Sequence, residues 1–292
     1  MNSQKELKNE ISTVSTIQSI TSVYQGIASL RMNQIKDSVA ENKKFIDGIA
    51  EIYGHAKTAY LADIQKQLKS KDREKKNDLS FIRRNGKSVL VLVSANEHLY
   101  GTLIIDVWRK FSAELREKPG DSVVIGNFGK SLIVNEVTHT PIQYFDLADD
   151  NPDPAQIKKI IQFITQYETV IVHFGQMRTL LTQEPTRVEI TGGVALDKPI
   201  ETPKKYIFEP TPAKIMEFFE SEIIATLFNE KLLEHQLARF SSRMVAMDQA
   251  TQNAGSLQTN LKKDLTNIKR RLTNIRQLEV FSGMSIWGKE KK

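Results

Sequence analysis

The sequence predicts a mixed α/β protein in which long N-terminal and C-terminal helices wind together as a coiled coil and a central segment forms an α/β domain. Three observations support this prediction. All nine prolines lie between Pro119 and Pro212, so both ends of the chain lack the residue that breaks helices. Apolar residues recur every three or four positions in both terminal segments. Strand-like and helix-like patterns alternate between them.

The N-terminal segment predicts one helix of about 55 residues. Its apolar stripe begins with Leu7, Ile11, Val14, Ile17, Ile20, Tyr24, Ile27, Leu30, Ile35 and Val39, and it continues to Ile52. The C-terminal segment predicts a helix of some 75 residues, a rod of roughly 110 Å. Its stripe comprises Leu237, Phe240, Met244, Met247, Ala250, Ala254, Leu257, Leu261, Leu265, Ile268, Leu272 and Ile275.

A rod of this length is about twice the width of a globular domain of this mass, so its stripe cannot be buried within one domain. We therefore expect the two terminal helices to pair, either antiparallel or obliquely wound. Small residues on both helices would then permit close backbone approach, although they could also be merely tolerated weak positions. They are Gly26, Ala28, Ser29, Ala250, Ala254, Gly255 and Ser256.

The central segment predicts strands at 87–96, 121–126 and 168–176, and helices at 101–118 and 154–167. Alternation of this kind indicates a sheet with parallel pairs and helices on its faces. Further strands are expected at 186–193 and 205–210, and a charged connector at 66–78. We expect an N-terminal helix over 1–58, a central domain over 80–210 and a C-terminal helix over 211–287.

Composition narrows the functional classes. The 292 residues include 41 Lys and Arg against 35 Asp and Glu, a net charge of +6 that favours acidic partners. The chain has no cysteine, which excludes disulfides and thiolate metal sites. The longest apolar run, at 89–93, is too short to span a bilayer. The charged N-terminus has no apolar signal core, so secretion is not expected.

The segment GNFGKS at 126–131 resembles the end of a phosphate-binding loop. Val124 occupies the position where that loop needs its first glycine, so the cradle of backbone amides cannot form. Turn glycines in an α/β domain are the favoured interpretation. No Gly-x-Gly-x-x-Gly pattern follows the first strand either. A nucleotide-binding enzyme is therefore disfavoured, and no cofactor is expected.

Other polar groups each have a functional and a structural interpretation. His98 follows a strand where an α/β enzyme would place catalysis, but a surface-loop role is favoured. No two of the five histidines have metal-ligand spacing, so no metal site is expected. A loop with four acids could bind a cation, although solvated turn residues are favoured; these are Asp146, Asp149, Asp150 and Asp153.

The last helix carries a basic stretch that could bind phosphates or form a solvated face. Its members are Lys262, Lys263, Lys269, Arg270, Arg271 and Arg276. No aromatic residues for base stacking accompany them, so nucleic acid is not an expected partner.

Three segments resemble one known family. SSRMVAMDQATQNAGSL (241–257) is similar to the C-terminal signature ARMxAMxxATxNAxxL of the gamma subunit of F-type ATP synthase. KELKNEISTVSTIQSIT (5–21) resembles the opening of that family, and SVLVLVSANEHLYG (88–101) its first central strand and turn. The resemblance implies an asymmetric coiled coil of both termini and a Rossmann-like central domain.

The sequence also departs from the family pattern. The turn that usually reads S-[TS]-D-[RK]-G-L-C-G has Asn96, Glu97, His98 and Tyr100 instead. The N-terminal K-I-T-K-A-M-x-M becomes SITSVYQG at 19–26, which loses two lysines and two methionines. These changes indicate a divergent member or a gamma-like rotor of a related machine.

The resemblance implies a non-catalytic rotor shaft in a proton- or sodium-driven synthase, peripheral at the cytoplasmic face of the cell membrane. Implied partners are the alpha and beta subunits of the catalytic ring, the epsilon subunit and the membrane c-ring, so membrane association is indirect. The implied interface residues are Arg243, Lys269, Arg270, Arg276 and Glu279. The alternative is a coiled-coil scaffold or adaptor with an α/β head.

Overall fold

The computed structural model describes residues 4–67, 85–134, 141–191 and 212–287. Over these residues the chain forms five helices and five strands. In chain order they are α1 (Gln4–Gln67), β1 (Ser88–Val93), α2 (Leu103–Glu117), β2 (Asp121–Ile125), α3 (Asn127–Val134), β3 (Ile142–Phe145), α4 (Pro154–Ile164), β4 (Thr169–Met177), β5 (Gln183–Glu189) and α5 (Pro212–Trp287). The predicted long terminal helices are confirmed, with 64 residues in α1 and 76 in α5.

The strands form one sheet in the order β3-β2-β1-β4-β5. The first four strands are parallel, and β5 pairs antiparallel with β4. The central strand β1 has apolar side chains buried on both faces, as its unbroken VLVLV run requires. The edge strand β5 alternates between more exposed and less exposed positions instead. The predicted parallel α/β sheet is confirmed.

Helices cover both faces of the sheet. On one face the core joins β1, β2 and β4 to α4, to the second half of α1 through Ala50, Tyr53 and Ala56, and to α5 through residues such as Phe228. On the other face α2 supplies the core side chains, with Phe111 fully buried. The burial of apolar side chains on both faces of the sheet is the main source of stability of the domain.

Two elements differ from the sequence predictions. The segment at 127–134 is the helix α3 rather than a turn, and β3 was not predicted. Gly126 makes the turn into α3 with φ +100°, and a Cβ there would lie 2.7 Å from the carbonyl oxygen of Ala95. Gly126 is therefore a turn glycine, as the sequence predicted, and it also permits a close backbone approach. The strand expected at 205–210 and residues 68–78 of the expected connector lie outside the described residues.

The chain divides into two compact units. One comprises residues 28–243, and the other comprises the chain up to Ile27 and from Met244 onwards. The predicted boundaries of three domains stay a prediction. Among the described residues, no helix has a stretch apolar enough to cross a membrane.

In the unit made of the chain ends, α1 and α5 pair antiparallel. The hydroxyls of Thr21 and Thr251 are 2.8 Å apart, and the Gln25 side chain donates to Asp248 at 3.0 Å. As the position on α1 rises from 21 to 25, the partner position on α5 falls from 251 to 248. The predicted coiled coil is confirmed, and its direction is antiparallel.

The face that α1 turns to its partner differs from the predicted stripe. The less exposed positions have the 3-4 spacing of a heptad seam, and they are Gln4, Leu7, Ile11, Val14, Gln18, Thr21 and Gln25. Up to Ile27, where this unit ends on α1, four apolar members of the predicted stripe are exposed instead: Ile17, Ile20, Tyr24 and Ile27. Successive steps of three from Val14 to Ile20 rotate the stripe away from the seam, because three residues fall short of a full helical turn.

The small residues are used only in part for close packing. Ala254 is buried in the seam, and a Cβ added to Gly255 would lie 3.3 Å from the Gln18 side chain. A Cβ on Gly26 would meet nothing within 4 Å. Close approach therefore holds at Ala254 and Gly255, whereas Gly26 is a tolerated weak position.

The register of the helix pair can be tested by a disulfide. We expect the double variant Thr21→Cys with Thr251→Cys to close a disulfide readily, because the native side-chain oxygens already lie 2.8 Å apart. The measurement is the loss of free thiols with the change in mobility on a non-reducing gel. The control pairs Thr21→Cys with Gln258→Cys, which lies two helical turns further along α5. Closure in the control, and none in the first pair, would contradict the register.

Candidate functional site

The candidate site is a cluster of polar side chains that α5 places against the carboxyl edge of the sheet. The helix residues involved share an unusual property for polar groups, because each is buried. They are His235, Gln236, Arg239, Ser241, Ser242 and Arg243. We call this set the polar clamp.

His235 lies between β1 and β4. These are the neighbouring strands at which the direction of the strand order in the sheet reverses. Its Nδ1 accepts a hydrogen bond from the Gly175 amide of β4 at 2.8 Å, and its Nε2 lies 3.0 Å from the carbonyl oxygen of Ser94, just after β1. These partners assign the neutral imidazole with the proton on Nε2. Burial, reinforced by the nearby Arg239 charge, lowers the pKa of His235 to about 3.

Arg239 and Asp149 form a buried ion pair at the centre of the clamp. Asp149 also accepts from the backbone amides of Asn96 at 3.0 Å and Glu97 at 2.8 Å, and from the Tyr100 hydroxyl at 2.9 Å. Burial alone would raise the pKa of Asp149, but Arg239 and these donors outweigh it and hold the pKa below its usual range. The carboxylate therefore stays charged and fixes the loop after β1.

Further contacts secure the same loop. The Arg243 guanidinium donates to Glu97 at 2.7 Å and to the carbonyl oxygen of His98 at 3.0 Å. It also stacks over the Tyr100 ring, with 4.1 Å between the guanidinium carbon and the ring centre. Ser242 donates to the Tyr100 carbonyl oxygen at 2.7 Å. The loop at 96–100 is thus held by α5 at Glu97, His98 and Tyr100 and by Asp149 at Asn96 and Glu97.

This arrangement fills the place where a sheet of this topology binds ligands. In open α/β sheets the ligand crevice lies outside the carboxyl ends of the strands, at the point where the strand order reverses. Here His235 occupies that point between β1 and β4. A cavity of about 30 Å³ remains beside Ser94, Asp149 and Arg239, room for about two waters. A small-molecule site usually needs about 300 Å³ or more.

The acidic loop is only in part the solvated turn that the sequence predicted, because Asp146, Asp150 and Asp153 are exposed whereas Asp149 is buried. Asp149 is buried in the clamp, Asp153 accepts from the Ala155 amide as the N-cap of α4, and Asp146 accepts from the Asn96 side chain. Among the described residues, no group of His, Asp and Glu could hold a metal ion. His98 is exposed and its ring contacts Phe128 edge-on.

The five predicted interface residues do not form one cluster. Arg243 is buried in the clamp and pairs with Glu97. The other four, Lys269, Arg270, Arg276 and Glu279, lie on the last part of α5 and are exposed. Every residue from Lys269 to Ser282 is exposed, so the seam with α1 does not continue there. Their role at an interface stays a prediction.

Sequence reasoning did not identify His235 or Arg239 as site residues, and it considered Asp149 only as a possible cation ligand. The available signal was the spacing of His235, Arg239 and Ser242 at i, i+4 and i+7, which places three polar groups on one face of a helix rich in apolar residues. The hydrogen-bond partners of these side chains lie in loops far away in the sequence. The helical spacing alone therefore cannot predict which residues they bond.

A family model described as ATP synthase matches residues 3–285. A curated relative from Rickettsia canadensis, named ATP synthase gamma chain, is 22% identical over 97% of this chain and 99% of its own length. This chain belongs to the ATP synthase gamma family. A second gamma chain, from Nitrosomonas europaea, is 24% identical over 88% of this chain and 90% of its own.

Two solved structures contain a chain with the same fold. A chain of the Euglena gracilis mitochondrial ATP synthase structure aligns with a TM-score of 0.54 at 12% identity, over 89% of this chain and 96% of its own. A chain of the Tetrahymena thermophila central stalk and c-ring structure aligns with a TM-score of 0.53 at 15% identity, over 79% of this chain and 99% of its own.

The geometry accounts for residues of the gamma signature and for one departure from the family turn. Met247 is buried in the helix pair, and Thr251 bonds Thr21. Arg243 pairs with Glu97, which stands where the family turn carries a basic residue. The acid and the signature arginine thus form an ion pair within the chain.

The buried ion pair predicts a large loss of stability on its disruption. Arg239→Leu should lower the free energy of unfolding by about 3–5 kcal/mol, because it leaves the Asp149 carboxylate buried without its cation. The measurement is urea unfolding at pH 7. Arg178→Leu is the matched control, since Arg178 pairs with Glu184 with both side chains about half exposed; it should cost at most about 1 kcal/mol. Equal losses in the two variants would contradict a buried, uncompensated carboxylate.

The neutral state of His235 predicts a pH dependence. The pKa of His235 is lower in the folded protein than the ordinary 6.5, so below pH 6.5 the unfolded state binds more protons than the folded state. The free energy of unfolding therefore decreases as the pH is lowered. Between pH 7 and pH 5 this group alone should remove about 2 kcal/mol of unfolding free energy.

The comparison is the difference in stability between pH 7 and pH 5 in the wild type, in His235→Gln and in His98→Gln. His235→Gln should show a difference about 2 kcal/mol smaller than the wild type. His98→Gln, which changes an exposed histidine, should match the wild type. If His235→Gln matches the wild type too, His235 is not held neutral.

Proposed function

We propose that this chain is the central rotor shaft of a proton- or sodium-driven F-type ATP synthase, and that it couples rotation of the membrane ring to ATP synthesis or hydrolysis in the catalytic ring. The observation that carries this proposal is the continuity of α5. One helix of 76 residues supplies the polar clamp in one compact unit and half of the coiled coil in the other.

Continuity and anchoring are the properties that torque transmission requires. Because α5 contains no proline after its first residue, every later backbone N–H of the helix is available to its hydrogen-bond ladder. The clamp fixes the helix against a sheet by charged, buried hydrogen bonds, which are stronger than neutral ones. The same side chains occupy the ligand crevice, which supports a non-catalytic role for this subunit.

The partners of such a shaft are the alpha and beta subunits of the catalytic ring, the epsilon subunit and the c-ring. The shaft would be peripheral, on the cytoplasmic face of the cell membrane, and would reach the membrane only through its partners. The exposed Lys269, Arg270, Arg276 and Glu279 are proposed to meet the ring. Arg243 is proposed to contribute from within the chain, by holding Glu97 and its loop in place.

Reconstitution tests the function directly. The full-length chain is combined with the alpha and beta subunits from the same source, the ring is fixed to a surface and a bead is attached to a cysteine introduced at exposed Ser131. We expect ATP-driven rotation in one direction. A ring that assembles and hydrolyses ATP equally well without this chain, with no rotation in its presence, would contradict the rotor.

The basic pair on the last part of α5 predicts a charge effect on turnover. The double variant Lys269→Glu with Arg270→Glu should lower ATP hydrolysis by the complex about tenfold or more, since reversing charge in a partly desolvated interface with acidic loops costs several kcal/mol. Stability of the isolated chain should stay within about 0.5 kcal/mol. The matched control is Lys158→Glu with Lys159→Glu, an exposed basic pair on α4. Unchanged turnover in the first variant would show that its pair is only a solvated face.

A further inference from the structure

One stretch of α5 is buried on every side. All nine residues from His235 to Arg243 are buried, and they make about two and a half helical turns. A helix that packs on a single surface buries one stripe and leaves its other side in solvent. Elements of the unit formed by residues 28–243 therefore cover this part of α5 from more than one direction. We call it the enclosed stretch.

Most polar side chains of the enclosed stretch lie on one side of the helix. Five of them fall within an arc of about 120°, because successive residues are about 100° apart around the helix axis. Their partners are backbone groups of β4 and just after β1, together with the loops at 96–100 and 149–150. These five residues are His235, Gln236, Arg239, Ser242 and Arg243.

Ser241 is the polar residue on the opposite side. It lies about 160° from Arg239 around the helix axis, and its side chain is fully buried. Its hydroxyl donates to the Leu180 carbonyl oxygen at 2.7 Å and accepts from the Gln183 side chain at 3.0 Å. Both partners belong to residues 178–183, which join β4 to β5 and which we call the hairpin tip. The hairpin tip therefore contacts the back of α5.

Hydrogen bonds within the hairpin tip fix its shape. The Thr182 amide donates to the carbonyl oxygen and the hydroxyl of Thr179 at 3.2 and 3.1 Å, and the Arg178 amide donates to the Thr182 carbonyl oxygen at 3.0 Å. Gln183 also donates to the Leu180 carbonyl oxygen at 3.0 Å. The group that meets Ser241 is thus held in place before α5 is considered.

The rest of the hairpin is fastened to α2. Arg187 of β5 donates to both carboxylate oxygens of Glu114 at 3.0 and 2.9 Å, and His173 of β4 lies 2.9 Å from the same carboxylate. Lys110 donates to the Pro185 carbonyl oxygen at 2.7 Å. Charged hydrogen bonds of this kind are stronger than neutral ones. The hairpin is therefore a supported arm, with one end on α2 and the other on α5.

We propose that the β4–β5 hairpin is a brace that stops α5 from turning about its own axis against the sheet, and that Ser241 is the positioning residue through which the brace acts. This inference rests on the proposed rotor function and adds the contact that resists torque. A helix held along one arc can roll, because the side chains of that arc swing together about the axis. A second support on the opposite side blocks this motion, since close-packed interiors transmit strain.

The test removes the contact from each of its two sides. Ser241→Ala deletes the hydroxyl on α5, and Gln183→Ala deletes the amide that bonds it from the partly exposed hairpin tip. The matched control is Ser112→Ala. Ser112 is also a buried serine on a helix, but its hydroxyl donates to the Arg109 carbonyl oxygen of its own helix. All variants are made in the full-length chain.

The measurement is the angular variance of a bead on the sheet-bearing unit while the rotor pauses at low ATP concentration. The alpha and beta ring is fixed to a surface, and the bead is attached to a cysteine at Ser131, which is unique because the chain has no other. The urea midpoint of each isolated chain is recorded beside it.

Ser241→Ala and Gln183→Ala should each raise the angular variance about twofold, because one of two opposing supports is lost. Ser112→Ala should keep the wild-type variance. It should nevertheless lower the urea midpoint about as much as Ser241→Ala, since each variant removes a hydroxyl from a buried serine. Stability alone therefore does not produce the expected pattern.

Two results would overturn the brace. Wild-type variance in Gln183→Ala and in a folded Ser241→Ala would show that the hairpin tip does not resist rotation of α5. An equal rise in Ser112→Ala would show that any lost hydrogen bond loosens the protein. Failure of the wild-type chain to rotate in the ring would contradict the proposed function itself, whereas normal rotation with insensitive variants contradicts the brace alone.

Discussion

The attachment of α5 to the sheet depends on one buried interaction, the ion pair of Arg239 with Asp149 at the carboxyl edge of the sheet. Arg239 belongs to the longest helix and Asp149 to a loop between β3 and α4, so the pair joins elements 90 positions apart in the chain. Each charge is costly to bury alone. Together, with Tyr100 and two backbone amides as further donors, they fix α5 to the sheet in one position. His235 adds a second fixed point on β1 and β4.

The carboxyl edge of the sheet is occupied by side chains of α5. A crevice at the strand-order reversal is a binding site when loops line it and leave it open. Here a helix side chain hydrogen-bonds the backbone of both flanking strands, so the edge serves as an anchor. The side chains that anchor α5 fill the crevice where a ligand would bind, and they fix the helix rigidly to the sheet. A rotor shaft needs this rigid attachment, whereas nucleotide sites can be supplied by its partner subunits.

Proline distribution and helical periodicity predicted the two long helices, and alternating strand and helix patterns predicted the parallel sheet. The family was indicated by the resemblance of three sequence segments to its motifs. The phase of the coiled coil was not predictable in the same way. Ile17 and Ile20 looked like seam residues, whereas Gln18 and Thr21 are the ones that face α5, and only the contacts across the pair decide between them. Asp149 looked solvated within a run of acids. Its burial depends on Arg239, and no local rule links residues so far apart.

The central claim is that the clamp holds α5 on the sheet as one unit that opens only when the whole domain unfolds. Native-state hydrogen exchange at the amides of Glu97 and Gly175 tests it most directly, because their acceptors are Asp149 and His235. Both amides should exchange with the free energy of global unfolding, the same as the amides of β1. Exchange at these two positions as fast as at the exposed loop residues near Thr179, with β1 still protected, would show that the helix detaches locally and would contradict the account.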